Sequence, residues 1–521
     1  MKRKISLIIS VITFLVLITS AVVIAFIKYI VDNFADSSID EMIFYMISGM
    51  NGAASDVFIT GIKTSIVPFL LILILLLLPI IRLKKRKNVI EIKFRNKKFE
   101  IHFFPIKFLY KYRLIYACIL LFVSLLTSYK ILGVDNYINR LNEYSTLMDD
   151  YYVSGTDVSI TFPNEKRNLI ILYLESVENS LIDKDNGGGW EYSVIPELEN
   201  IAQNNLNFSN SDKIGGAHPI TGTTWTVGAL VATTSGIPLK IPINGNEYTS
   251  SENFLAGAYT LGDVLKNEGY NLELMFGSDA NFGGRKNYYT YHGDYKIFDV
   301  NTAIQEGKML ESEQVWWGFD DSHLFEWAKE EIISLASSDE PFNFTFLTAN
   351  THFPNGYLES SAETKFESQY ENVFAHSSKQ VDEFVKWFEE QDFYNNTTLV
   401  ILGDHLSMQT EFFSSNIYEG YSRTMYNAFI NSSIEPVNAK NRTFSSLDFY
   451  PTILGSIGVE IEGNRLGLGT NLFSERETLV EELGFSFVNS ELSKNSSFYN
   501  RNILQGDYLD LLKKAEQGNQ E

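Results

Sequence analysis

The chain has 521 residues, more than one average domain needs and enough for a membrane region plus a large globular core. Apolar residues make up 45%, which excludes a disordered chain, and the formal net charge is -22. The charge is unevenly placed: residues 1–132 carry 18 Lys+Arg against 7 Asp+Glu, and the remainder carries 24 against 57. So acidic a remainder repels polyanions and predicts no nucleic-acid partner.

Three apolar stretches open the chain: Ile5 to Ile27, Thr64 to Ile81 and Leu114 to Tyr129. The first is long enough for a bilayer core of roughly 30 Å. Lys2, Arg3 and Lys4 precede it as in a signal peptide, but the apolar core is too long and no small-residue cleavage site follows. A retained anchor is therefore expected, within a three-helix transmembrane region over residues 1–132. The segment 82–113 carries 12 Lys+Arg and 2 Asp+Glu, which predicts a cytoplasmic loop and an extracytoplasmic remainder. The one cysteine, Cys118, lies in the third stretch, so no disulfide forms within the chain.

Residues 133–165 read as a polar connector. A domain over 166–490 then alternates short apolar runs with helix-like stretches. The runs are Asn168–Leu174, Asn271–Phe276, Phe342–Leu347 and Thr397–Leu402; Ser322–Leu335 and Ser378–Glu390 have helical character. Buried strands alternating with helices predict an α/β fold around a mostly parallel sheet. Residues 491–521 read as a polar carboxyl-terminal tail, a short helix and a loose end.

Each apolar run is followed at once by reactive polar residues. These are Glu175–Glu178, Gly277–Arg285, Thr348–Pro354 with His352, and Gly403-Asp404-His405. Open α/β sheets place their sites at the carboxyl ends of strands, so four such runs predict one shared site. A Glu, an adjacent Asp-His pair and a hydroxyl suit a divalent cation, Mn²⁺ best and Mg²⁺ or Zn²⁺ less well. The hydroxyl could come from Gly222–Gly228, whose threonines otherwise read as turn residues. Arg285 and His352 could hold phosphoryl oxygens. Taken singly, each residue has a plainer reading: a capping carboxylate for Glu175, a loop pair for Asp404-His405, a solvated face for Arg285. His218, His292 and His323 read as loop or core histidines, Glu178 as either a supporting or a solvent-facing carboxylate, and Trp316 and Trp317 as core aromatics first and the lining of an acceptor groove second.

At these residues the sequence resembles the phosphoglycerol transferase and lipoteichoic acid synthase branch of the alkaline phosphatase superfamily, over about residues 165–475. Asn168–Ser176 resembles the first motif, which implies Glu175 as a metal ligand. Thr223-Thr-Trp-Thr-Val-Gly with Thr234–Leu239 resembles the nucleophile segment. Counting back from Gly236-Ile-Pro implies Thr223 as nucleophile and metal ligand, with Thr226 as a helix-start hydroxyl and Thr221 and Thr224 as register alternatives. Arg285 and His352 correspond to phosphate-binding residues, and Asp404 and His405 to the remaining metal ligands. Trp317–Asp321, Ser446–Leu454 and Gly463–Gly469 look like the branch that decorates glucans. The chain departs from lipoteichoic acid synthases in having three apolar stretches rather than five.

The resemblance implies an alkaline phosphatase-like α/β/α sandwich, anchored in a bacterial plasma membrane, that moves glycerol phosphate from phosphatidylglycerol to a glycan or polyglycerolphosphate acceptor. Two alternatives remain: a phosphoethanolamine transferase of the same fold, whose members usually have disulfide-rich ectodomains, and a non-catalytic sulfatase-like binding protein. A true sulfatase needs a Cys/Ser-x-Pro-x-Arg motif, which the nucleophile segment lacks.

Overall fold

The computed structural model describes residues 2–34, 42–43, 55–80, 89–94, 97–102, 110–240 and 254–506. The chain falls into two compact units, residues 1–35 with 55–138, and residues 36–54 with 139–521.

The first unit is built on three apolar helices, α1 (Lys2–Phe34), α2 (Ser55–Leu77) and α3 (Arg113–Ile131). Among the described residues two stretches are long and apolar enough to cross a bilayer, Lys4–Val31 and Arg113–Ile131. The expected middle span is not matched at that length. The apolar part described in α2, Ile62–Leu77, would rise about 24 Å, short of a hydrocarbon core of roughly 30 Å. The three helices still pack together. Arg113 is buried and donates to the Ser6 carbonyl at 2.8 Å, and Tyr116 donates to the Leu76 carbonyl at 3.1 Å. Within the basic segment, Val89–Phe94 and Lys97–His102 pair as an antiparallel hairpin. The alternation in Val-Ile-Glu-Ile-Lys-Phe suits that ladder.

The second unit contains a six-stranded sheet. Its strands are β1 (Asn168–Leu174), β2 (Asn271–Phe276), β3 (Lys296–Phe298), β4 (Phe342–Leu347), β5 (Thr397–Gly403) and β6 (Asn427–Ile430). The spatial order is β3-β2-β4-β1-β5-β6. Five strands run parallel and β6 runs antiparallel to β5 at the edge, so the sheet is mixed. Every residue of β1, β4 and β5 is buried, which accounts for their near-continuous apolar sequence.

Helices cover both faces. Ile170, Leu172 and Leu174 of β1, with Phe344, Phe346 and Ile401, pack against α4 (Pro196–Asn204), α6 (Asp321–Ala336) and α7 (Gln369–Glu389). On the opposite face Tyr173 shares a 2.7 Å hydrogen bond with Thr233 of α5 (Thr226–Ser235). Residues between the units and the sheet are ordered. Val134–Asn142 and Leu147–Tyr151 are helical, and Ile160–Thr161 pairs with Glu460–Ile461. The carboxyl-terminal region is not loose as far as 506. Tyr499 and Ile503 are fully buried, Tyr499 accepting from the Lys240 amide at 3.0 Å. Residues 507–521 lie outside the described residues.

The parallel register sets the site. Leu174 of β1 pairs with Gly403 of β5, and Tyr173 of β1 with Leu347 of β4. The next residues along these strands, Glu175, Asp404 and Thr348, therefore emerge side by side at the carboxyl edge.

Candidate metal centre and phosphoryl site

Glu175, Asp404 and His405 each bring one ligand atom into a group lying within 4.8 Å of one another. All three are at most 3% exposed. His405 Nε2 lies 3.4 Å from Glu175 Oε1 and 3.5 Å from Asp404 Oδ2. Its Nδ1 sits 2.9 Å from the Leu406 carbonyl, a contact that places the proton on Nδ1 and turns the Nε2 lone pair toward the carboxylates.

The carboxylates are held by the loop that carries them. Ser176 adopts a left-handed conformation, φ 57°, and its amide donates to Asp404 Oδ1 at 2.8 Å while its hydroxyl donates to Glu175 Oε1 at 2.7 Å. The His405 amide also donates to Asp404 Oδ1, at 2.7 Å. Asp404 Oδ2 is buried without a partner.

Burial and the neighbouring Glu175 push Asp404 up to about 7. Burial also raises Glu175, but His352 and His405 outweigh it and hold that carboxyl below its usual value. Two buried carboxylates, one imidazole lone pair and an orphaned oxygen converge on one point. A divalent cation with oxygen and nitrogen preference fits that donor set, and Glu175, Asp404 and His405 could hold it.

The hydroxyl facing this cluster belongs to Thr226. It is the first residue of α5, and its Oγ1 lies 3.3 Å from both Glu175 Oε2 and His405 Nε2. Thr223 is placed differently. It is 1% exposed, its Oγ1 donates to the Ile220 carbonyl at 2.9 Å, and the same oxygen accepts from the Ile220 amide at 3.3 Å. Thr223 thus closes the turn before the helix rather than joining the cluster, and the count back from Gly236 to Thr223 runs three residues past the hydroxyl that faces it. Thr221 is tied to Asn489 at 2.8 Å, and Thr224 Oγ1 is buried without a partner. The signal for Thr226 was in the sequence: it opens the helical run that ends at Ser235.

Arg285 and His352 line one cavity together with Glu175 and Thr226. Arg285 follows Gly283 and Gly284, both left-handed, and is only 4% exposed. It donates to Ser278 Oγ at 2.9 Å and to the Asp279 carbonyl at 2.7 Å, and its guanidinium lies 4.3 Å from the centre of the Phe276 ring. The Nδ1 of His352 meets the Phe353 carbonyl at 2.7 Å. Burial lowers the His352 pKa, with Glu175 opposing.

The loop carrying His352 is fixed from behind. Asp321, at the start of α6, accepts from the amides of Ala349 at 2.8 Å and Asn350 at 3.1 Å. Sequence reasoning did not single out Asp321, whose role depends on two amides more than 25 residues away in the chain. The other histidines serve elsewhere. His292 bridges Asp263 and the Phe254 carbonyl, and His323 pairs with Asp320.

Fold and site together define an α/β protein with a buried Glu-Asp-His cluster that could hold a cation at the carboxyl edge of its sheet, facing a helix-start hydroxyl. The chain belongs to the sulfatase family, whose family model matches residues 167–459. It is similar to the phosphoglycerol transferase I of Citrobacter koseri, 29% identical over 268 residues. That match covers 50% of this chain and 33% of the relative, so the chain spans only about a third of the length of the curated relatives it matches. Among solved structures, it is similar to a lipoteichoic acid synthase of Listeria monocytogenes, with TM-score 0.49 and 17% identity over 63% of this chain and 80% of that one. A Streptococcus pyogenes phosphoglycerol transferase solved with sn-glycerol-1-phosphate gives TM-score 0.41 and 16% identity, over 73% and 94%.

Proposed function

We propose that this chain is a membrane-anchored, metal-dependent phosphoglycerol transferase with its catalytic domain on the extracytoplasmic side of a bacterial plasma membrane. It takes glycerol phosphate from phosphatidylglycerol and passes it to a glycan or polyglycerolphosphate acceptor. The observation that carries this reading is the Thr226 hydroxyl, 3.3 Å from Glu175 and from His405 at the start of α5. The name of the curated relatives, phosphoglycerol transferase I, supports the transferred group.

A divalent cation, Mn²⁺ by the donor set, would be held by Glu175, Asp404, His405 and Thr226, and would supply acidification of the hydroxyl and charge neutralisation at phosphorus. Thr226 Oγ1 attacks the phosphorus of phosphatidylglycerol. The bond from Thr226 oxygen to phosphorus forms as the bond to the diacylglycerol oxygen breaks, and the proton lost by Thr226 ends on diacylglycerol. An acceptor hydroxyl then attacks the glycerophospho-threonine, and its proton restores Thr226. Arg285 and His352 orient the phosphoryl oxygens in both steps, where positioning and charge stabilisation do most of the catalysis. The position of Thr226 in the first turn of α5 adds the favourable field of the helix amino terminus.

The test is release of diacylglycerol from labelled phosphatidylglycerol by the full-length protein with Mn²⁺, beside Thr226→Ala and a chelator control. Release that requires both the metal and Thr226 is expected. Normal release by Thr226→Ala would overturn the nucleophile, and no release by the wild-type protein with any acceptor would overturn the activity.

A further inference from the structure

Among the described buried side-chain atoms without a hydrogen-bond partner, two belong to residues of the cluster or of the cavity lining: Asp404 Oδ2 and Trp317 Nε1. The first is an acceptor and answers to a cation. The second is a donor only, and nothing in the mechanism above uses it.

The segment that carries Trp317 is a built presenting element. Val315 and Gly318 exchange two backbone hydrogen bonds, each 2.8 Å, and the Phe319 amide donates to the Gly277 carbonyl at 2.9 Å, just past the end of β2. A Cβ at Gly318 would lie 2.1 Å from the Gly277 carbonyl oxygen, so only glycine permits this approach. Trp316 is left-handed, φ 52°, a costly conformation for a bulky side chain. Trp316 points its own N–H at the Ala349 carbonyl, at 3.1 Å, and anchors the turn to the loop that carries His352. Trp317 then lies with its ring centre 4.7 Å from His352 and 5.3 Å from Phe282, walling the cavity that Thr226, Ser278 and Arg285 also line.

We propose that the Trp317 indole N–H is the specificity contact for the headgroup of the donor lipid, and that it selects a headgroup bearing hydroxyls. This rests on the phosphoglycerol transferase reading. The chemistry is one of sign. A hydroxyl oxygen accepts the indole proton, whereas the ammonium of an ethanolamine headgroup has no lone pair and leaves the buried donor unsatisfied. A site with a buried donor discriminates against headgroups that cannot accept from it more strongly than an apolar wall does.

The experiment compares wild-type protein and Trp317→Phe, which keeps an aromatic ring beside His352 and Phe282. Diacylglycerol release with Mn²⁺ is measured from phosphatidylglycerol, phosphatidylethanolamine and phosphatidylpropanol, the last a phosphodiester without headgroup hydroxyls. Wild-type kcat/KM should favour phosphatidylglycerol over phosphatidylpropanol by about tenfold, the weight of one buried hydrogen bond. In Trp317→Phe that ratio should fall toward unity, mainly through KM for phosphatidylglycerol. An equal fall for all three lipids, or no change, would overturn the inference, because the contact would then be to phosphate or to packing. Should Trp317→Phe fail to fold, calorimetric binding of sn-glycerol 1-phosphate and of propyl phosphate to the wild-type protein decides: equal affinity overturns it. Wild-type protein that releases diacylglycerol from none of the lipids removes the functional reading and this inference together, an outcome distinct from the loss of selectivity alone.

Discussion

Arg423 holds Glu178 at two points, Nε to Oε2 at 2.7 Å and one terminal nitrogen to Oε1 at 2.6 Å, with the Glu178 side chain fully buried. The same terminal nitrogen donates to the Ser407 carbonyl at 2.9 Å, and the Ser407 amide donates to Glu178 Oε1 at 3.2 Å. Glu178 follows Glu175 on one loop, and Ser407 follows His405 on the next, so one ion pair ties together the two loops that carry the cluster. Removing Arg423 leaves a buried carboxylate unpaired. Arg423→Ala should cost about 3–5 kcal/mol in denaturant unfolding, and Glu178→Leu with Arg423→Met markedly less. Equal costs for the single and double variants would show that the pair does not act as a unit.

Thr223 and Thr226 separate structure from chemistry. Thr223→Ala removes a buried hydroxyl that closes the turn before α5 and should cost about 1–2 kcal/mol of stability while leaving transfer measurable. Thr226→Ala should lower transfer by about a thousandfold or more with little change in unfolding. The paired measurement is diacylglycerol release beside thermal melting; an intact Thr226→Ala and a dead Thr223→Ala would reverse the assignment.

Cation binding should register as stability. Buried Glu175 and Asp404 repel each other, and Asp404 Oδ2 has no partner, so a bound divalent ion relieves a cost already present in the fold. Mn²⁺ at about a hundred times its dissociation constant should add roughly 2.7 kcal/mol to unfolding of the wild-type protein. Asp404→Asn should abolish that increment and, without metal, melt no lower than wild type. Thermal scans with and without chelator check both statements.

Glu359 carries a pH dependence of its own. Burial raises its carboxyl, but the His376 imidazole 3.5 Å away and hydrogen bonds from Ser322 and Gln380 outweigh that and hold it at about 2. A folded pKa below the unfolded one means stability present above about pH 4.5 and lost as pH falls toward 2. Glu359→Gln should therefore destabilise the protein at neutral pH by about 3 kcal/mol at most, and by progressively less between pH 4.5 and 2. A difference independent of pH in urea unfolding would contradict the account. Because Glu359 also accepts from the Ser322 amide and from Asn350, beside Asp321, the variant should loosen the loop that carries His352.

The apolar runs that became β1, β2, β4 and β5 were legible because a strand buried on both faces needs a continuous apolar stretch, whatever lies beside it. The residues after them were legible for the same local reason. Glu175, His352, Asp404 and His405 each lie within five residues of a strand end and Arg285 within nine, and parallel strands in register bring those ends together. The apolar helices of the first unit were legible by length and apolarity; among the described residues two are long and apolar enough to cross a bilayer, and the apolar part of α2 is shorter.

Other features depended on the tertiary structure. Thr223 lies in the turn before α5 and Thr226 opens the helix, so which hydroxyl faces the strand ends is fixed only when α5 is docked against β1. The docking is set by contacts such as Tyr173 with Thr233, 60 residues apart. The strand order, with β1 between β4 and β5, likewise arises from long crossovers, as does the burial of Glu178 against Arg423. Trp317 reads in the sequence as one more core aromatic; its unpaired N–H becomes visible only when the turn at Val315–Gly318 is fastened to Gly277 and the ring is set beside His352. Sequence alone determined which residue types stand at the strand ends, because that pattern is local. Which hydroxyl faces them, and which donor is left without a partner, was decided by contacts between segments far apart in the chain.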